Sequence, residues 1–252
     1  MKLISLMLLA VSTGVFGAAG PLKEQALAVA DAHRDSVLFL TAVVEVEFTA
    51  GDSPARKEER KVEALGTVIS AEGLIVAPLS TLDPATAIDG RTVKGPQGPV
   101  KLSAKGSTKE VKLLMPDGTE HEAEVTFKDP DLDLAFVRLK DADAVQLTPV
   151  DMKDGAEMHV LEDVILLGRL GKGLNREPVV MTNEVVSIIR KPRRFGKLNS
   201  QSLGMAVFNS DGKFVGLGVN RFNAGADGGG TPVPMNVVLP VEDLLDSASQ
   251  VK

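Results

Sequence analysis

The chain has 252 residues, no cysteine and a formal net charge of −6, with 44% hydrophobic and 25% charged residues. That length and balance suit one large or two small packed cores rather than a disordered chain, and the acidic excess disfavours a nucleic-acid partner, which needs a basic field. Without cysteine there is no disulfide framework, no thiol nucleophile and no cysteine-based zinc site.

Residues 1–19 read as a secretory signal peptide. Lys2 gives a positive start, Leu3 to Phe16 form a short apolar core, and Gly17-Ala18-Ala19 offer small residues for cleavage. The expectation is export, to a periplasm or the extracellular space, with no stable membrane insertion. Residues 20–36 carry one helix, Pro21 to Asp35, with Leu22, Leu27, Val29 and Ala30 at roughly helical spacing.

From Val37 the texture becomes strand-like. Val37 to Phe48 is rich in β-branched residues and ends in apolar–acidic alternation. Gly51 to Lys61 reads as a charged hairpin loop. Further strands are expected at Val62–Ser70, Leu74–Ala77, Val111–Met115, Glu122–Phe127 and Leu134–Leu139, with Asp83–Ser107 as a long surface connection. Residues 141–158 have weak periodicity and join this group, within 37–140, to a second one within 159–252. The second group holds Val160–Leu167, Val179–Ile189, Met205–Phe208, Lys213–Asn220 and Val233–Leu239, then a helix opened by Pro240, Val241 to about Ala248. Many short strands with almost no helix between them predict an all-β protein, sandwich or barrel.

Three stretches carry chemical information: Gly73-Leu74-Ile75-Val76-Ala77-Pro78-Leu79-Ser80-Thr81-Leu82, Asp129-Pro130-Asp131-Leu132-Asp133-Leu134-Ala135, and Gln201-Ser202-Leu203-Gly204-Met205-Ala206-Val207. Their order and separation resemble the segments that deliver His, Asp and Ser in trypsin-like serine peptidases, nearest to the HtrA-like branch. The resemblance runs from about Val37 to Ala248. It implies two six-stranded antiparallel β-barrels with short N- and C-terminal helices, and an active site in the cleft between them. Members commonly continue into a PDZ module; with the chain ending at Lys252, none is expected.

On that alignment the triad-equivalent positions are Ser80, Asp133 and Leu203. A serine hydroxyl needs an adjacent base, which an imidazole supplies and an aspartate orients. Only Asp133 keeps its family identity. Ser80 cannot act as a base, and Leu203 has no heteroatom. Gln201 and Met205 replace family glycines around the oxyanion turn, so Leu203 and Met205 are expected to turn inward and partly fill the former pocket. Ser202, the fallback nucleophile, is one residue out of register and should face the other way. His33, His121 and His159 are scattered and read as structural, with no metal-binding spacing; no cofactor or metal is expected.

The run Gly168-Arg169-Leu170-Gly171-Lys172-Gly173 opens no helix and so lacks the context of a phosphate loop. Arg190 to Lys197 places five positive charges in eight residues, a solvated loop or a contact for an acidic partner. Ala226 to Thr231 reads as a flexible glycine-rich loop. The reading that follows is an exported, catalytically inactive relative that binds protein or peptide. The alternative is an active serine endopeptidase with an unorthodox site using Ser202 and a displaced histidine.

Overall fold

The computed structural model describes residues 20–95, 98–223 and 233–251; the leader at 1–19 and the glycine-rich Ala226–Thr231 lie outside them. Helix α1 (Pro21–His33) buries Ala26 and Val29. It is followed by β1 (Val37–Ala50), β2 (Arg56–Val68), β3 (Leu74–Pro78), the single-turn helix α2 (Leu79–Leu82), β4 (Thr92–Gly95), β5 (Gly98–Leu114), β6 (Glu120–Asp129) and β7 (Leu134–Leu139). Six of these strands close antiparallel in the order β1-β2-β3-β7-β6-β5 and back to β1, with β4 appended to β5. Residues 140–162 contain no regular element. Then come β8 (Asp163–Arg169), β9 (Pro178–Ile189), β10 (Phe195–Leu198), β11 (Ala206–Asn209), β12 (Phe214–Asn223), β13 (Val233–Pro240) and α3 (Val241–Ala248). These six strands close a second barrel, β10-β13-β12-β11-β8-β9. Two closed six-stranded barrels are the architecture that the sequence resemblance implied.

Three apolar layers explain which runs are uniformly apolar. Leu40, Ile75, Ala135 and Val137 fill the first barrel, and Val164, Leu166, Val207 and Val238 fill the second. The alternate residues of the same strands, Val76, Leu134, Phe136, Ile165, Leu217 and Leu239, pack between the barrels together with Ala26 of α1 and Leu244 of α3. A strand between two cores must be apolar on both faces, so β3 reads Leu-Ile-Val-Ala-Pro and is buried throughout. Burying so many aliphatic side chains, each worth about 1.5–3 kcal/mol, holds the two barrels face to face.

Three expectations are corrected. Arg56–Lys61 is strand, not loop: β2 pairs with β1 from Arg56 onward. Most of Asp83–Ser107 is ordered too, since β5 begins at Gly98 and pairs with β1 along Leu102–Leu114. Arg56–Lys61 is almost wholly exposed, and β5 alternates half-buried with exposed residues and sends only Ala104 into the first core before Val111, so the usual strand signature is weak. Within the basic run, Phe195–Leu198 is strand β10 with Phe195 and Leu198 buried; its charges hid a four-residue strand.

One buried cation ties the arrangement together. The Arg169 side chain, 6% exposed, donates from Nε to the Val37 carbonyl at 2.6 Å, from Nη1 to the Arg176 carbonyl at 3.3 Å and from Nη2 to the Arg34 carbonyl at 3.0 Å. It therefore links the end of α1, the start of β1 and the β8–β9 connection. The glycine-flanked run around it is a barrel loop, with a 3₁₀ turn at Lys172–Leu174 and no helix.

Candidate functional site

Pro78 ends β3, and its fixed φ turns the chain into α2, which carries Ser80 at its second position. Across from it, the turn Asp129–Leu132, closed by Leu132 N–H to Asp129 Oδ1 at 3.2 Å, delivers Asp133 with φ +59. That left-handed conformation is uncommon outside glycine but more accessible to Asp and Asn. The Asp133 carbonyl accepts from Leu79 N at 2.8 Å, which fixes the two segments against each other.

The Asp133 carboxylate is buried and fully engaged. Oδ1 accepts from Ser80 N–H at 2.6 Å; Oδ2 accepts from Ser80 Oγ at 3.0 Å and from Asn220 N–H at 2.7 Å. It caps the first turn of α2 as an acidic N-cap does and reaches over to β12. Burial pushes its pKa up to about 6, against the pull of the two backbone N–H groups and the hydroxyl. Asn220 Nδ2 donates to Ser80 Oγ at 3.2 Å, completing a Ser80–Asp133–Asn220 triplet between the barrels.

Beside it lies a second polar pair. Ser202 is 1% exposed; its N–H and its Oγ both donate to Asn236 Oδ1, at 2.6 and 3.0 Å. Asn236 Nδ2 donates to the Val219 carbonyl at 3.1 Å, and Asn236 is the register partner of Asn220 on the β12–β13 ladder. The Ser202 hydroxyl thus points into a strand seam with an amide, not a base, beside it. Met205 is buried in the second barrel, as expected, but Leu203 stays half-exposed in a turn. Gly204, at φ +75, places Leu203 outward by passing close to Leu65 Cβ. The N–H groups of Ser202, Gly204 and Met205 are all used, by Asn236 Oδ1 and by the carbonyls of Gly218 and Ser202.

No histidine hydrogen-bonds to Asp133 or Ser202 among the described residues. His33 stacks on Phe208 at 4.8 Å and contacts Ser36 Oγ at 3.4 Å, with burial lowering its pKa. His159 is exposed next to Glu162, and His121 sits on β6 opposite Leu113. No group of His, Asp and Glu with metal-holding geometry occurs among the described residues. Sequence reading missed Asn220 and Asn236. Two amides in the middle of strongly apolar strands, Val219-Asn220 and Met235-Asn236, were the available signal.

The basic run is largely tied down. Arg193 pairs with Asp243 at 2.9 Å, Arg194 pairs with Glu157 and donates to the Met158 carbonyl, and Lys197 donates to the Asn236 carbonyl at 3.0 Å.

Comparison with known proteins agrees with this geometry at the level of the fold. A serine-to-alanine variant of the HtrA-type protease AlgW, determined with a tripeptide, superposes with a TM-score of 0.58 at 12% identity over 90% of this chain. This chain spans 63% of the AlgW chain. The MamO protease domain from Magnetospirillum magneticum gives a TM-score of 0.51 at 14% identity, covering 85% of this chain and 96% of that one. No curated protein matches the sequence. The model of the trypsin-like peptidase domain matches residues 64–217, more than half of the chain, and the chain belongs to that family.

Proposed function

We propose that this chain is an exported pseudoprotease that binds extended protein or peptide segments in the cleft between its barrels without cleaving them. The observation that carries the reading is the occupancy of Asp133: its oxygens serve Ser80 and Asn220, so it has no imidazole to orient. With Leu203 at the attacking position, two triad roles are unfilled. Loss of one such role already costs about a million-fold in turnover.

Binding is supported by the free edge of β12. Beyond Gly218 the strand pairs with β13 alone. Gly218 and Asn220 direct their N–H groups away from β13, to Met205 and Asp133, so by alternation the Phe222 N–H faces the cleft. An extended segment can add there as a strand. Export rests on the leader at 1–19, and no helix among the described residues is long and apolar enough to cross a membrane.

Purified protein is expected to leave casein intact, to resist fluorophosphonate labelling, and to bind an unfolded polypeptide such as reduced, carboxymethylated α-lactalbumin, with Phe222→Pro weakening that binding. Casein hydrolysis lost in Ser202→Ala would instead establish the unorthodox endopeptidase, and labelling with hydrolysis that survives it would reveal another nucleophile. A mature chain beginning at Gly20 in the native compartment is expected; an intact Met1 there would overturn export.

A further inference from the structure

The first barrel contains a second open strand edge, away from the inter-barrel cleft. The β5–β6 ladder ends at Val111–Ala123, and beyond that point β5 follows β1 while β6 follows β7. Between the parting strands lies a groove of about 730 Å³, within the ~300–1,000 Å³ typical of ligand clefts.

Hydrogen-bond alternation identifies what faces into it. Met115 N–H donates to the Thr119 carbonyl at 2.9 Å, so counting along the hairpin makes Leu113–His121 and Val111–Ala123 hydrogen-bonded pairs. Lys140 N–H donates to the Glu122 carbonyl at 3.0 Å, which makes Glu122 and Glu124 the residues bonding toward β7. Both counts turn Val125 N–H and C=O toward β5. Their partner would be Lys109, but Lys109 is the residue bulged out of register, since Val43 pairs with Glu110 and Val44 with Thr108. The bulge leaves one backbone donor and one acceptor of Val125 directed into the groove. Thr108 Oγ1, buried on the groove wall, has no hydrogen-bond partner either.

We propose that this groove takes an extended polypeptide segment as an added strand, paired through its backbone to Val125. A backbone N–H and C=O side by side are complemented by another backbone. Exposed edges that must stay unpaired usually carry charge. The free edge of β2 does, with Arg56 to Lys61 all charged, whereas Val125-Thr126-Phe127 carries none. Apart from Glu124, the flanking charges are matched: Lys128 with Asp83 at 2.9 Å, Lys140 with Glu122 at 2.9 Å, Lys109 with Glu45 at 3.7 Å and Glu110 with Lys112 at 2.6 Å. The segment is therefore recognised by its main chain, with little dependence on its charge or on ionic strength.

The site is separate from the cleft of the proposed function, and two proline variants distinguish them. The probe is a fluorescein-labelled peptide of eight alternating valines and threonines with a lysine at each end, read by anisotropy. Val125→Pro removes the groove-facing N–H without touching a β7 bond, the position a strand tolerates. It is expected to weaken binding at least about tenfold, the loss of one buried hydrogen bond, while Val125→Thr and Phe222→Pro retain groove binding, and 0.5 M NaCl changes affinity little. Slowed exchange of the Val125 amide on peptide addition is expected in the wild-type protein, a readout that holds should Val125→Pro fail to fold. Unchanged Val125 exchange, or a loss of all binding in Phe222→Pro with none in Val125→Pro, overturns the proposal. So does self-association abolished by Val125→Pro, which would assign the groove to a second copy of this chain.

Discussion

Asp133 Oδ2 accepts the Asn220 N–H at 2.7 Å, so a carboxylate of the first barrel terminates a strand edge of the second. That acceptor capacity holds the two barrels in register. The carboxylate is a fastener, and its burial makes the fastening depend on pH.

For Asp133, burial raises the folded-state pKa to about 6 from an ordinary value of 3.8. The folded state then binds more protons than the unfolded state between those values. The contribution is fully present below pH 3.8 and is lost as pH rises through 6. It amounts to roughly 3 kcal/mol at most. Urea unfolding of the wild type and Asp133→Asn at pH 4 and pH 7 should show the wild-type stability, relative to the variant, falling across that interval. A flat difference would contradict it.

Asn236 and Ser202 should respond unequally to truncation. Ser202→Ala removes one hydroxyl and leaves Asn236 Oδ1 bonded to the Ser202 N–H, costing about 1 kcal/mol. Asn236→Ala strands that N–H and the Ser202 hydroxyl, costing about 2–4 kcal/mol. Equal losses in chemical denaturation would mean that the seam is not organised around the amide.

Arg169→Met keeps the buried stem but abandons the carbonyls of Arg34, Val37 and Arg176. A loss of about 2–4 kcal/mol is expected. Amide exchange should accelerate first at the end of α1 and the start of β1. Uniform acceleration over the whole chain would show that the cation has no local role.

Glycines separate tight from open backbone. A Cβ at Gly218 would overlap the Ser202 carbonyl oxygen, whereas one at Gly173 meets nothing within 4 Å. Gly218→Ala should cost about 3 kcal/mol or more, and Gly173→Ala should stay within about 0.5 kcal/mol. Melting temperatures of the two variants check both.

The parts of this molecule that were legible in sequence are those squeezed between cores. Leu74–Pro78, Leu134–Leu139 and Ala206–Asn209 are apolar on both faces because each lies between a barrel interior and the inter-barrel layer. Arg56–Lys61 is largely exposed and Gly98–Glu110 sends only Ala104 into the core, so their strand character rests on ladder bonds that leave little compositional mark. At the site, flanking residues singled out Ser80 and Asp133, which the structure joins by a hydrogen bond, and Leu203, which stays half-exposed in a turn. Asn220 and Asn236 left only the signal of a polar residue in an apolar strand, since an amide's role depends on a cross-strand partner that only the β12–β13 register provides.

The apolar layer shared by the barrels has a thermodynamic corollary. Val76 and Phe136 from one barrel, Leu217 and Leu239 from the other, and both terminal helices belong to a single cluster. Neither half can melt without exposing the flank of its neighbour, so heating should disrupt the whole chain in one calorimetric step, with equal calorimetric and van't Hoff enthalpies.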